Sequence, residues 1–271
     1  MSPLFEIRDQ VVIVTGATGV LAGTAADYLL EQGCRVVYLG RTQKKLDEAV
    51  ARAGENADRV LAIPCDVLKE SDLEDVKATV LEKWGKIDVL INGAGGNQPG
   101  ATIGPDKNFF DLNLEDYSTV LDLNLKGTVL PSMVFGKSMT DQKSGCIVNF
   151  SSMAADRVIT RVLGYSNAKA SIDNFTRWLA VEMAHKFGEG IRVNAIAPGF
   201  FIADQNRRLL TNEDGSYTDR GQSVINATPF KRFGEAAEVC GTLHYLLGDA
   251  SKFVTGTVIP VDGGFSCFSG V

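Results

Sequence analysis

Tyr165-Ser-Asn-Ala-Lys169 sets a phenol and an ammonium four residues apart. In a helix that spacing puts both on one face, one turn apart. A tyrosine of pKa about 10 is a poor proton donor or acceptor at neutral pH, but a neighbouring ammonium favours the phenolate and draws the pKa towards the working range. Ser152, thirteen residues upstream, can hydrogen-bond the same substrate oxygen. Asn124, in Leu123-Asn-Leu-Lys-Gly127, is an amide inside an otherwise helical segment and can hold a water that connects Lys169 to solvent. Each also has a plainer reading: a surface Tyr and Lys pair, a serine capping a turn, an asparagine kinking a helix.

A second set of residues suits an anionic dinucleotide. Thr15-Gly-Ala-Thr-Gly-Val-Leu-Ala-Gly23 follows an apolar run and opens a helix that should reach about Gln32. A glycine turn between strand and helix lets backbone N–H groups and the positive helix end approach a pyrophosphate, so Gly16, Thr18, Gly19, Val20 and Leu21 are candidate contacts. At Gly40-Arg41-Thr42 the acid that would bind an NAD ribose is missing. Arg41 can pair with a 2′-phosphate or stand solvated at a helix start, so the cofactor reading is NADP(H) or NAD(H), leaning to NADP(H). Asp66, followed by Val67, can bond an adenine amino group or cap the next turn. Asn92-Gly93-Ala94-Gly95 offers a backbone passage beside the adenosine ribose.

These residues need a scaffold, and the chain supplies a regular one. Short β-branched runs, Val11–Val14, Arg35–Leu39, Val60–Ile63, Asp88–Ile91, Cys146–Asn149, Arg192–Ile196 and Thr257–Val261, alternate with helix-period segments. That pattern predicts one Rossmann-type domain over residues 1–271: a three-layer, doubly wound α/β fold with about seven parallel strands covered on both faces. Ser71-Asp-Leu-Glu74 reads as a capping box ahead of Leu73, Val76, Val80 and Trp84. The strongest helix follows Tyr165, with Ile172, Phe175, Leu179, Met183 and Phe187 spaced three or four apart. Two long irregular stretches, 95–111 and 200–229, follow strands and so lie at the carboxyl edge where open α/β sheets bind ligands.

Composition narrows the class. With 27 basic against 33 acidic residues and a net charge of -6 in 271, a broad grip on nucleic acid or an anionic membrane is not expected. Five scattered cysteines and two histidines argue for a reducing compartment and against structural zinc. The charged amino terminus does not read as a signal peptide, and a cytoplasmic protein is expected.

The tyrosine, lysine, serine and asparagine, in this order after a glycine turn, resemble the short-chain dehydrogenase/reductase family from about Val11 to Gly264. Further family marks are Pro198-Gly199, Pro229-x-x-Arg232-x-Gly234 and Asp262-Gly-Gly264. The resemblance implies a nicotinamide cofactor contacted also by Pro198 and Gly199, and a homotetramer. It assigns Tyr165 as acid/base, Lys169 as pKa-lowering and ribose-binding, Ser152 as carbonyl-orienting, and Asn124 as support for a proton relay. Four positions depart from the family pattern: Val20 and Ala22 stand where the later two glycines of the turn fall, Gly93 replaces an asparagine, and Ala203 replaces a threonine that touches the carboxamide.

The mouth over these groups reads as polar and cationic. Asn97 in the first loop, Gln205 and Asn206 in the second, and Arg157 and Arg161 between Ser152 and Tyr165 suit a small hydroxylated acid, although each arginine can equally be a solvated surface group. Phe200-Phe201 with Gln205-Asn206-Arg207, Asn174-Phe-Thr-x-Trp178-Leu-Ala and the tail from Val261 to Val271 resemble the family's sugar-acid branch of D-mannonate oxidoreductases or fructuronate reductases. That implies hydride exchange between D-fructuronate and D-mannonate. A gluconate- or polyol-type dehydrogenase with the same four residues, or a dinucleotide sensor without turnover, are the alternatives.

Overall fold

The β-branched runs become seven strands in a computed structural model that describes residues 2–203 and 206–270. They are β1 (Val11–Thr15), β2 (Arg35–Gly40), β3 (Val60–Pro64), β4 (Val89–Asn92), β5 (Gly145–Phe150), β6 (Ile191–Pro198) and β7 (Val258–Val261). All pair in parallel in the order β3-β2-β1-β4-β5-β6-β7. The helices are α1 (Val20–Glu31), α2 (Gln43–Ala53), α3 (Glu70–Trp84), α4 (Leu114–Leu121), α5 (Gly127–Gln142), α6 (Leu163–Phe187), α7 (Arg207–Leu210), α8 (Asp219–Ala227) and α9 (Glu238–Leu247). The chain winds outward from β1 to β3 and then crosses to β4, so the turns after β1 and β4 face each other where the winding reverses. In open α/β sheets this is the ligand crevice.

Alternation along the strands divides the core between the two faces. Val12, Val14, Val36 and Tyr38 pack with Leu29 of α1, Leu46 of α2 and Leu243 of α9. Val11, Ile13, Val37 and Leu39 pack with Leu73 and Val76 of α3, Phe135 and Met139 of α5, and Leu179 and Met183 of α6. Both sets are almost wholly removed from water, and at roughly 25 cal/mol per Å² of apolar surface this burial is the main favourable contribution to folding.

Two local expectations change. The capping box at Ser71 does not form: α3 starts at Glu70, its N-cap is Lys69, and no side chain caps it. The reason lies upstream. Asp66 folds the turn first, its carboxylate accepting the Leu68 N–H at 3.1 Å and its carbonyl the Lys69 N–H at 2.9 Å, while Asp72 accepts the Asp66 N–H at 3.0 Å. The helix therefore begins before Ser71. The other change is at Asn124, which lies in a π-helical segment, Asp122–Lys126, joining α4 to α5. A π segment widens the backbone ladder by one residue and is frequent at functional sites.

The long loops are partly helical, with short 3-10 turns at Pro99–Ala101 and Phe109–Asp111, and α7 and α8 between 200 and 229. Among the described residues no helix is long and apolar enough to cross a membrane.

Candidate active site

The glycine turn after β1 has the shape a pyrophosphate needs. Gly16 holds φ at 68°, and a Cβ there would lie 2.8 Å from the Ala94 backbone, so only glycine fits. Gly19 is the N-cap of α1 and no side chain caps that helix, which leaves first-turn N–H groups, from Val20 and Leu21 onward, without a side-chain acceptor. Thr18 fills the space beside Gly40, where a Cβ would approach its methyl to 2.8 Å. Thr15 is fully buried, and its hydroxyl accepts the N–H groups of Gly93 and Ala94, each at 3.1 Å. The turns after β1 and β4 are thereby fixed together. An uncapped helix end beside a passage too narrow for side chains fits a dinucleotide.

The remaining cofactor candidates divide. Arg41 is exposed at the end of β2, without an acidic partner among the described residues. Asp66 does cap its own turn through one carboxylate oxygen, and Val67 behind it is buried. Gly199 packs so closely on Asp262 that a Cβ would come within 2.7 Å, which holds Pro198-Gly199 at the end of β6. Asn92 is turned inward: its amide donates to Ser132 at 3.0 Å and Asn149 at 2.9 Å, in a buried polar network that continues to Thr176. Its side chain serves the core, leaving Gly93 and Ala94 as the backbone passage.

The proton-transfer residues meet beneath these turns. Tyr165 lies in the first turn of α6, and Ser152 follows β5, where its Oγ accepts the Ala154 N–H at 3.2 Å and keeps its own O–H to donate. Lys169 is one turn beyond Tyr165, with its Nζ 5.4 Å from the ring centroid. The Lys169 ammonium donates to the Phe150 carbonyl at 2.7 Å, and burial lowers its pKa to about 8 although the Asp173 carboxylate opposes that. Burial raises the pKa of Tyr165, and the Ser152 hydroxyl works against the rise. The direction is opposite to the expected fall, because desolvation of the phenolate is the largest influence on this buried phenol.

Asn124 is fully buried, and its carboxamide is committed to the backbone. Its Nδ2 donates to the carbonyls of Gly96 at 2.7 Å and Val120 at 2.8 Å, and its Oδ1 accepts the Gly96 N–H at 3.2 Å. These bonds clamp the loop after β4. A Cβ on Gly95 would come within 2.5 Å of Asn124 Oδ1 and 3.6 Å of Lys169 Nζ, so the loop passes close to both side chains and has no room for a side chain against Asn124.

The substrate candidates separate as well. Asn97 donates to Thr102 at 2.9 Å and has a buried Oδ1 with no hydrogen-bond partner. Arg157 is exposed, with its guanidinium 3.6 Å from the carboxylate of its neighbour Asp156. Asn206 folds its own loop, donating to Phe201 O and accepting the Ala203 N–H, each at 2.8 Å. Gln205 lies outside the described residues. Arg161 occupies the turn just before α6.

Sequence reasoning passed over Asp173 and Ser151. Asp173 is buried one turn beyond Lys169, and the Ser151 hydroxyl donates to its carboxylate. Burial raises the Asp173 pKa, against Ser151, Arg177 and Lys169, which favour the anion. The signal was present in the spacing: Tyr165, Lys169, Asp173 and Arg177 recur every four residues.

The family profile described as Enoyl-(Acyl carrier protein) reductase matches residues 16–266, spanning the glycine turn, the proton-transfer set and the Asp262-Gly-Gly tail. The chain belongs to the short-chain dehydrogenase/reductase family. It is an NAD(P)-dependent oxidoreductase of that family. The uncharacterized oxidoreductase UxuB of Bacillus subtilis (strain 168) is 43% identical over 281 residues, covering 100% of both chains. A Haemophilus influenza structure with bound NAD, provisionally named D-mannonate oxidoreductase, is 38% identical, covers 98% of each chain and superposes with a TM-score of 0.91. A provisionally named gluconate dehydrogenase from Agrobacterium tumefaciens is 29% identical, covers 98% of this chain and 99% of its own, with a TM-score of 0.87. For a short-chain dehydrogenase/reductase, the turn around Val20 and Ala22 is unusual, yet it keeps the uncapped helix end that a pyrophosphate requires.

Proposed function

We propose that the protein interconverts a keto sugar acid and its hydroxy acid, with D-fructuronate and D-mannonate as the pair. The observation that carries this reading is the end-to-end likeness to the Haemophilus protein provisionally named a D-mannonate oxidoreductase. The mouth agrees with it. Asn97 leaves its buried amide oxygen without a partner among the described residues, and Arg161 brings a positive charge to the segment that leads into Tyr165.

The nicotinamide, when bound, exchanges the hydride with the carbonyl carbon. The chain's own residues handle position and proton. Ser152 directs its O–H to the carbonyl oxygen, and Tyr165 delivers its proton to that oxygen as negative charge develops there. A tyrosine whose pKa is raised stands loaded as an acid at neutral pH, and the Lys169 ammonium stabilises the phenolate left behind. In the reverse direction the phenolate takes the hydroxyl proton. Gly16 and the first turn of α1 would hold the pyrophosphate, Lys169 the nicotinamide ribose, and Asp66, Gly93 and Ala94 the adenosine. Arg41 supports a preference for NADP(H), since it can meet a 2′-phosphate where an acid would select NAD. The exposed Trp178 and Val181 on α6 and Met133 on α5 are in keeping with a homotetramer.

The test is a panel of keto sugar acids and uncharged ketoses with both reduced cofactors, followed by nicotinamide absorbance. Turnover of D-fructuronate supports the reading; activity confined to uncharged ketoses overturns it in favour of a polyol-type enzyme.

A further inference from the structure

Three segments converge just before the catalytic helix. Arg161 holds φ at 77°, a left-handed conformation that a non-glycine residue seldom adopts, and its carbonyl accepts the Ile103 N–H at 2.9 Å. The turn is thereby tied to the loop after β4. From the other side comes Arg220, in the first turn of α8. Its Nη1 donates to Thr160 Oγ1 and its Nη2 to the Thr160 carbonyl, each at 3.2 Å.

The two guanidiniums are placed at a cost to stability. Both side chains are half-buried, and the Arg220 pKa is lowered first by burial and then by the charge of Arg161. Arg220 also sits at the positive end of a nine-residue helix, where a cation is disfavoured. No acidic side chain among the described residues bridges either one, whereas Arg232 is held by Glu238, Arg52 by Asp27 and Arg157 by Asp156. Like charges brought together without a counterion among the described residues, on the segment that leads into Tyr165, suit the binding of an anion. The donors remain to do it: of five N–H groups on Arg220 two are engaged by Thr160, leaving three, and a carboxylate accepts at two oxygens in the plane of such a fork.

We infer that Arg161 and Arg220 form the site that recognises the substrate's carboxylate. The inference rests on the sugar-acid reading above and adds the residues that distinguish an acid from a neutral ketose. Arg220 enters from a helix sixty residues beyond Thr160 in sequence, so acid recognition depends on α8 being docked over the mouth.

The experiment compares kcat/KM for D-fructuronate and for D-fructose, its uncharged six-carbon counterpart, in the wild type and in Arg161→Gln, Arg220→Gln and Arg220→Lys, with thermal midpoints measured alongside. The acid-to-ketose ratio should fall about 10- to 100-fold in each glutamine variant, through KM more than kcat, since a charge-assisted hydrogen bond is lost. Arg220→Lys keeps the charge without the planar fork, so it should restore only part of the ratio, and it serves if Arg220→Gln does not fold. A wild type that prefers the acid, with variants that keep that preference, would overturn the carboxylate site and leave the sugar-acid reading standing. A wild type with no preference for the acid would overturn both.

Discussion

The methyl group of Ala22 lies where a side chain on Gly93 would have to begin: a Cβ built on Gly93 falls 2.6 Å from the Ala22 Cβ. These are two of the positions at which the chain departs from its family, a glycine replaced by alanine in the turn after β1 and an asparagine replaced by glycine after β4. The exchanges are one steric event seen from two sides. The same Cβ would also lie 2.9 Å from the Thr15 carbonyl, so room at 93 is limited by backbone too.

Gly93→Ala should therefore destabilise the protein by about 1–3 kcal/mol, the usual range for overpacking a tight site. Ala22→Gly alone should cost about 1 kcal/mol of helix preference. Combined, the two should cost less than their sum, with part of the strain persisting at Thr15. Urea unfolding of the four proteins measures the coupling, and strict additivity would show that the contact is relieved elsewhere.

Removing the phenol tests the acid/base role. Tyr165→Phe should lower turnover by at least about 100-fold, within the range for general acid–base catalysis, while nucleotide still quenches protein fluorescence. Turnover near wild type would assign the proton to another group.

Burial of Lys169 has a consequence for stability with a definite sign. Its pKa in the folded protein is about 8, against about 10.4 in an unfolded chain, so between those values the unfolded chain holds a proton that the native state has released. The destabilisation from burying the ammonium is full below pH 8 and fades as pH rises. Compared with Lys169→Met, the cofactor-free wild type should gain stability across roughly pH 8 to 10.4. Denaturation midpoints at a series of pH values read this directly, and a difference that does not change with pH would contradict it.

Asn124 protects a particular amide. Its Oδ1 accepts the Gly96 N–H at 3.2 Å, so Asn124→Ala should speed hydrogen exchange at Gly96 far more than at β4 itself. Mass spectrometry of the 93–101 peptides would show this. Unchanged protection would mean that the loop holds its shape unaided.

Arg41→Ala should shift cofactor choice. The ratio of kcat/KM with NADPH to that with NADH should fall about 10-fold or more, as expected for a lost contact with a phosphate. A ratio unaffected by the substitution would detach Arg41 from the 2′ position.

Much of this was legible in the sequence because it depends on short-range pattern. All seven strands fall on the β-branched runs, and Tyr165 and Lys169 share a helix face because four residues make about one turn. The misjudged features depend on partners far along the chain. Nothing near Asn92 announces that its amide turns to Asn149, 57 residues away, and nothing near Thr160 announces Arg220. The pKa of Tyr165 went the same way: spacing revealed the ammonium, whereas the desolvation that raises the pKa comes from the whole surrounding fold. Ser71 failed for a local reason, since Asp66 had already set the turn from which α3 starts.

The Lys169 bond to Phe150 and the Ser151 bond to Asp173 fasten two successive turns of α6 to the end of β5 beside the reaction centre. Ser152 and Tyr165 consequently ride on a single rigid piece, while 95–111 and 200–229 bring residues in from elsewhere. The chemistry and the choice of substrate are thus separable parts. Transplanting the two loops from a relative of different specificity is a route by which this chain could acquire a new substrate without rebuilding its proton transfer.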